Sequence, residues 1–298
     1  MPSSPELLAA PASTSTVPAA SARSTTAGLT THRLHPAQVL ARRLRSATAP
    51  LLAGVVVLAG WALLTGATST RLPAPDVVAR TTVRELAHGH LLAAAGRTMA
   101  LMSFGFGLSA VLGVAVGLLL ARRPLASRAV SPYLIGLQSL PSAVWIPVAV
   151  LVLGAGRPAV LTVTVLGAIP SVALGTRDAV TSVPPLLLKA GRTLGYSGSA
   201  LLRRVVLPAA LPGIVSGLQH GWAFAFRSLV AGELIMGAAS GGLGSYMDGA
   251  KKAGHVDTVL AAVLVILVVG LLVDRFGFTR AQDALRRRRG LGPVLETS

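Results

Sequence analysis

The chain has 298 residues, of which 52% are hydrophobic and only 12% charged, with a mean hydropathy of +0.68. Globular domains carry roughly 25% charged residues, so half that share, with apolar runs of spanning length, excludes an ordinary soluble domain and reads as an integral membrane protein. The absence of cysteine excludes disulfides and thiolate metal or redox centres, and the net charge of +17 is either a nucleic-acid footprint or the record of Lys and Arg gathered in cytoplasmic loops.

The N-terminal stretch 1–46 opens rich in Ser, Thr, Ala and Pro and is expected to be a disordered basic tail, ending in Arg42, Arg43 and Arg45. A first span is expected over 47–67. The segment 68–97 is polar; Pro73 and Pro75 open it, Asp76 suits a helix cap, and a short amphipathic surface helix fits 77–90. His88 and His90 fall in this segment and read as a solvated face, so no metal site is expected. The second span, 98–121, carries no charge, and its Gly105, Gly107, Gly113 and Gly117 suit close helix packing. The third, 131–153, contains Pro132, Pro141 and Pro147, each expected to kink it, and the fourth, 158–175, contains Pro170. A basic loop follows over 176–208, then a fifth span, 209–237, a Gly-rich outer loop, a polar segment with Lys251 and Lys252, and a sixth span, 255–273. The chain closes on a basic tail, 275–298, with four arginines at 286–289.

Six spans put both termini on one side. On that side lie 19 of the 27 Lys and Arg residues, and 7 lie on the other, with Arg227 inside a span. The bias predicts cytoplasmic termini and a cytoplasmic 176–208 loop. It also turns the charge away from nucleic acid and the arginine tail toward anionic lipid headgroups. The expected fold is an all-α integral membrane protein with six transmembrane helices.

Residues 189–208 carry the most specific signal. Lys189, Ala190 and Gly191 are followed after three residues by Gly195, and after nine more by Val205, Leu207 and Pro208. This resembles the cytoplasmic loop of bacterial ABC-importer permeases, whose pattern is Glu-Ala-Ala, three residues, Gly, nine residues, Ile-x-Leu-Pro. Two places depart: Lys189 stands for Glu and Gly191 for Ala. The resemblance implies a pair of short surface helices, turned at Gly195, that couple the permease to an ATPase. The second helix is expected to end at Leu207-Pro208, where the fifth span begins.

Further motifs in order along residues 50–280 are similar to those of the nitrate, sulfonate and taurine permeases: Leu72-Pro73-Ala74-Pro75, Leu140-Pro141 through Pro147, Gly154-x-Gly156, Gly242-Leu243-Gly244, and Asp257 and Asp274 beside the last span. The resemblance implies a permease domain over 90–274, a homodimer or heterodimer of permeases, ABC ATPase subunits, an extracytoplasmic solute-binding protein, and residence in a bacterial cytoplasmic membrane. No Gly-Lys dipeptide occurs, so no P-loop is available, no cofactor is expected, and the chain reads as a non-catalytic subunit.

Arg227 and Glu233 are charges within a span, which is costly unless they face water or a partner. His220 precedes Arg227 by seven residues and shares its helix face; Gln138 lies in the third span. These four residues have two readings, a polar lining of the translocation path or structural pairing and snorkelling. Two other functions compete with the importer. One is an ion-gradient-driven secondary transporter, for which Glu233 is the one carboxylate well inside a span. The other is a membrane-anchored basic protein binding nucleic acid or lipid.

Overall fold

A computed structural model describes residues 52–66 and 72–288. The expected tail at 1–46, residues 289–298 of the expected tail 275–298, and residues 47–51 and 67 of the first span lie outside the described residues. The chain divides into two units, 1–56 and 57–298; the first contributes only residues 52–56 to the described set.

Helix α1 covers Leu52–Gly66. Helix α2, Pro75–Ala87, starts with proline at its first position, where the missing N–H has no intrahelical partner to lose, after Ala74 in extended backbone. Asp76 is therefore not the cap expected of it. It lies in the first turn, where a negative charge suits the helix dipole, and pairs with Arg80 one turn on. Gly89, at φ +78°, turns the chain into α3, His90–Arg122. This helix begins eight residues before the expected span, because the polar run ahead of Thr98 is helical too.

The third expected span is not continuous. Helix α4, Pro124–Ser139, stops one residue before Leu140, whose extended ψ of 134° is what a following proline imposes. A 3-10 turn at Ser142–Val144 leads to α5, Trp145–Leu153. Pro141 thus breaks the helix instead of kinking it.

Helix α6, Arg157–Thr181, is the centre of the fold and the most buried of the long apolar helices. Helix α3 runs parallel to it. Gly105 faces Thr164, Gly113 faces Val172, and a Cβ on Gly117 would lie 2.5 Å from the Ala173 carbonyl oxygen. Gly107 faces open space and takes no part. Helix α9, Leu207–Met236, runs antiparallel to α6. Gly217 packs on Gly175, where an added Cβ on Gly175 would sit 2.6 Å from the Gly217 Cα, and Gly232 packs on Val160. Glycine at these crossings lets backbones approach where no aqueous hydrophobic effect drives helix pairing.

Helix α7 spans Pro185–Thr193 and α8 Gly198–Leu201. The chain is helical without a break from Gly198 to Met236, through α8, a π-helical stretch at Leu202–Val206 and α9, and Gly237, at φ +59°, ends the run ahead of a 3-10 turn at Gly237–Ala239. Helix α10, Leu243–Lys252, is followed by α11, Val256–Val273, a second π stretch at Asp274–Thr279 and α12, Arg280–Arg288. Among the described residues four helices are long and apolar enough to cross a membrane, at His90–Arg122, Arg157–Thr181, Gly198–Ala239 and Val256–Leu285; α1 and α5 are shorter. No strand occurs among the described residues.

Helix α2 is tied to the bundle by polar contacts. Thr81 donates to Asp257 at 2.8 Å and Tyr246 donates to Glu85 at 2.8 Å. Hydrogen bonds with Tyr246 and His90 hold the Glu85 carboxyl below its usual range. Burial, reinforced by the Glu85 carboxylate, pushes the Tyr246 phenol up to about 12.

Candidate functional site

The 185–208 segment is built by its prolines and glycines. Pro184, extended at ψ 133°, caps α7, and Pro185 occupies the first helical position. The helix ends in a Schellman motif: Gly195 adopts φ +83°, its N–H donates to the Arg192 carbonyl at 2.9 Å, and the Tyr196 N–H donates to the Gly191 carbonyl at 3.0 Å. Ser197 returns to extended backbone, and its carbonyl accepts the N–H groups of Ala200 and Leu201.

The two ends of the sequence motif meet. Gly191 is buried, and a Cβ there would lie 2.6 Å from Leu201 Cδ1 and 2.9 Å from Val205 Cγ2. Glycine at 191, where the resembling family prefers alanine, is thus matched to the large side chains it packs on. Below this contact Val183, Val206, Ala210 and Ile214 form a buried cluster with Ala179 at the end of α6. Lys189, Ala190, Gly195 and Pro208 are exposed, and Val205 and Leu207 are half-buried.

Leu207-Pro208 does not end a helix. Leu207 is itself helical, at φ −59° and ψ −49°, and its N–H donates to the Leu202 carbonyl five residues back. The wider π turns before Pro208 provide the room that a proline ring needs, so the helix passes through.

Sequence reasoning missed Leu186 and Leu194, which are 76% and 74% exposed beside Lys189, Arg192 and Arg203. Their signal was present as leucines in a polar, basic loop. Exposed apolar side chains rimmed by charge mark a surface that another protein covers.

The four polar residues expected in the spans do not form one group. His220 and Arg227 are both exposed on α9. His220 Nδ1 is 2.8 Å from the Ser216 carbonyl, and Arg227 Nε donates to the Ala223 carbonyl at 3.1 Å, its guanidinium lying 4.6 Å from the centre of the Phe224 ring. Gln138 is half-buried on α4. Glu233 points into the interior and is 1% exposed. Its carboxylate accepts the Thr98 hydroxyl at 2.9 Å and the Gly244 N–H at 3.0 Å, while Thr98 Oγ1 accepts the Leu243 N–H at 2.8 Å. Glu233 and Thr98 thereby satisfy the free N–H groups at the start of α10 and join it to α9 and α3.

At this same end, Arg97 and Arg157 line a cleft of about 360 Å³ with Phe104, Leu161 and Ser240. Arg97 Nε donates to the Gly241 carbonyl at 2.6 Å. In the sequence these arginines are separate loop charges; only the parallel run of α3 and α6 brings them together.

Long apolar helices packed through glycine, with a charged and apolar loop exposed at one end, define the class of multi-pass membrane proteins. The profile of the binding-protein-dependent transport system inner membrane component family matches residues 111–283. The chain belongs to this family and is an ABC-importer permease subunit. It is similar to a probable ABC transporter permease of Brucella melitensis, 31% identical over 225 residues, which are 76% of this chain and 91% of that one. It is 29% identical to the bicarbonate transport system permease of Synechococcus elongatus over 237 residues, 76% and 85% of the two chains. It is 27% identical to the nitrate import permease of a Synechocystis species over 236 residues, again 76% and 85%. A chain of the inward-facing MetNI methionine ABC transporter shares its fold, with a TM-score of 0.59, 24% identity, and coverage of 67% of this chain and 98% of that one.

Proposed function

We propose that this subunit imports a small oxyanion such as nitrate, bicarbonate or a sulfonate across a bacterial cytoplasmic membrane, driven by ATP hydrolysis on a partner that grips α7. The observation that carries the coupling role is the exposed Leu186 on α7 and Leu194 at its C-cap, in a segment held by the Gly191–Val205 contact and the Gly195 turn. Helices α1, α3, α4 with α5, α6, α9 and α11 make the six spans, both termini are cytoplasmic, and two permeases, two ATPases and an extracytoplasmic binding protein complete the machine. The anionic substrate class draws support from the guanidinium-lined cleft at Arg97 and Arg157, from Arg227 on the exposed face of α9, and from the nitrate and bicarbonate relatives. An ion-gradient mechanism would use Glu233, whose carboxylate is committed to Thr98 and Gly244.

The chain has no native cysteine. Leu186→Cys or Leu194→Cys is expected to crosslink to a co-expressed ATPase subunit, and a cysteine at Lys251 is not. Absence of crosslinking at both α7 positions, with no co-purification of the ATPase, would remove the coupling role. A reporter after residue 285 is expected in the cytoplasm and one near 248 outside; the reverse at both sites would overturn the topology.

A further inference from the structure

Two histidines alone make a poor metal site, and as a sequence pair His88 and His90 read as solvated. The fold adds a third donor. Glu85 lies three residues before His88 on the last turn of α2, His88 caps that helix, and Gly89 at φ +78° folds the chain so that His90 opens α3. One ligand atom from each of Glu85, His88 and His90 lies within 4.8 Å of the other two.

We propose that Glu85, His88 and His90 bind a divalent transition-metal cation, Zn²⁺ by donor chemistry, at the α2–α3 turn. The proposal is independent of the transport reading. Two imidazoles and one carboxylate form a three-donor zinc set that leaves a fourth position for water or another ligand. Donors around tetrahedral zinc stand about 3.4 Å apart, from bond lengths near 2.0–2.1 Å. Both histidine rings are exposed, which leaves them room to rotate toward that spacing.

A second layer is already in place. Tyr246, from α10, donates to Glu85 Oε2 at 2.8 Å and orients the carboxylate as outer hydrogen bonds orient metal ligands. The His90 Nδ1 contact to the same oxygen, 3.0 Å, is the one that the cation replaces. Arg84 Nε lies 3.5 Å from Glu85 Oε1; its charge opposes a cation and weakens the site without blocking it, since that side chain is 58% exposed and free to swing away. Gly89 has open space around its Cα, so its φ, and not crowding, is what demands glycine at the turn.

The test uses the full chain in detergent, purified through a histidine-free tag, with Zn²⁺ alone titrated against a chromogenic chelator. One Zn²⁺ per chain is expected. Glu85→Gln, His88→Ala and His90→Ala should each weaken binding at least tenfold, and Tyr246→Phe roughly tenfold through the outer shell. His32→Ala with His35→Ala, which removes the other close histidine pair, should change nothing. Co²⁺ should give visible ligand-field bands that His88→Ala abolishes. No stoichiometric binding by the native chain, or binding that survives Glu85→Gln and His88→Ala unchanged, overturns the proposal. Monodisperse elution of the variants separates lost ligands from lost fold.

Discussion

The two ends of the bundle are built on opposite plans. At the α10 end, Glu233, Thr98, Ser240 and Ser245 are buried and hydrogen-bonded to one another or to backbone from three helices. At the α7 end, leucines and cations are exposed and the structure rests on glycine turns and one close contact. A buried polar network fixes a single arrangement, because every alternative leaves donors unpaired in a low-dielectric interior. The α7 end instead leaves large apolar side chains uncovered by the chain itself, and under the proposed coupling role an ATPase subunit covers them. One end meets its polar needs internally, and the other presents apolar surface.

Six substitutions at five positions probe that contrast. Glu233→Ala is expected to do the most damage to stability, about 2–4 kcal/mol, because it strands the Thr98 hydroxyl and the Gly244 N–H; Glu233→Gln, which keeps acceptor capacity, should lose less. Thermal unfolding of the two variants in detergent measures the gap, and equal loss would deny the network its role. Gly191→Leu should cost about 1–3 kcal/mol by forcing α7 off Leu201 and Val205, with ATPase association falling in parallel. Gly195→Val places a β-branched residue at φ +83°, a strain of about 1–2 kcal/mol; expression should survive while solute-stimulated ATP hydrolysis falls, and normal stimulation would argue against the loop's coupling role. Smallest in stability, within about 0.5 kcal/mol, are Leu186→Asp and Arg227→Gln, both exposed. The first should abolish ATPase co-purification. The second should leave assembly intact and reduce uptake roughly tenfold, the loss of about 1.4 kcal/mol of binding. Unchanged uptake per assembled complex would remove Arg227 from the path.

The long apolar helices and the turn at Gly195 are legible in sequence because each is a local pattern of composition or glycine chemistry. What was not legible came from contacts between distant residues. The reason for glycine at 191 lies ten and fourteen residues downstream, in Leu201 and Val205. Glu233 stands open in the sequence between a path lining and structural pairing or snorkelling, and only the fold brings Thr98 and Gly244 to it. The run 131–153 reads as one span because its apolar content continues across Pro141, whereas the local backbone constraint before that proline ends the helix. Pro208 misled in the other direction: the same constraint is relieved there by π turns that leave no trace in the sequence.

The unbroken helical run from Gly198 to Met236 has a mechanical consequence. Its 39 residues at helical rise extend about 58 Å, nearly twice the roughly 30 Å hydrocarbon thickness of a bilayer. Such a rod works as a strut. A load applied at α7, which bears on Leu201 and Val205, enters the same rod that carries Arg227 along its length and Glu233 near its far end. Under the proposed coupling role, force on the loop reaches this shaft directly, and the places where regular α geometry is interrupted, the π turns at Leu202–Val206 and Pro212 inside α9, are where it can give.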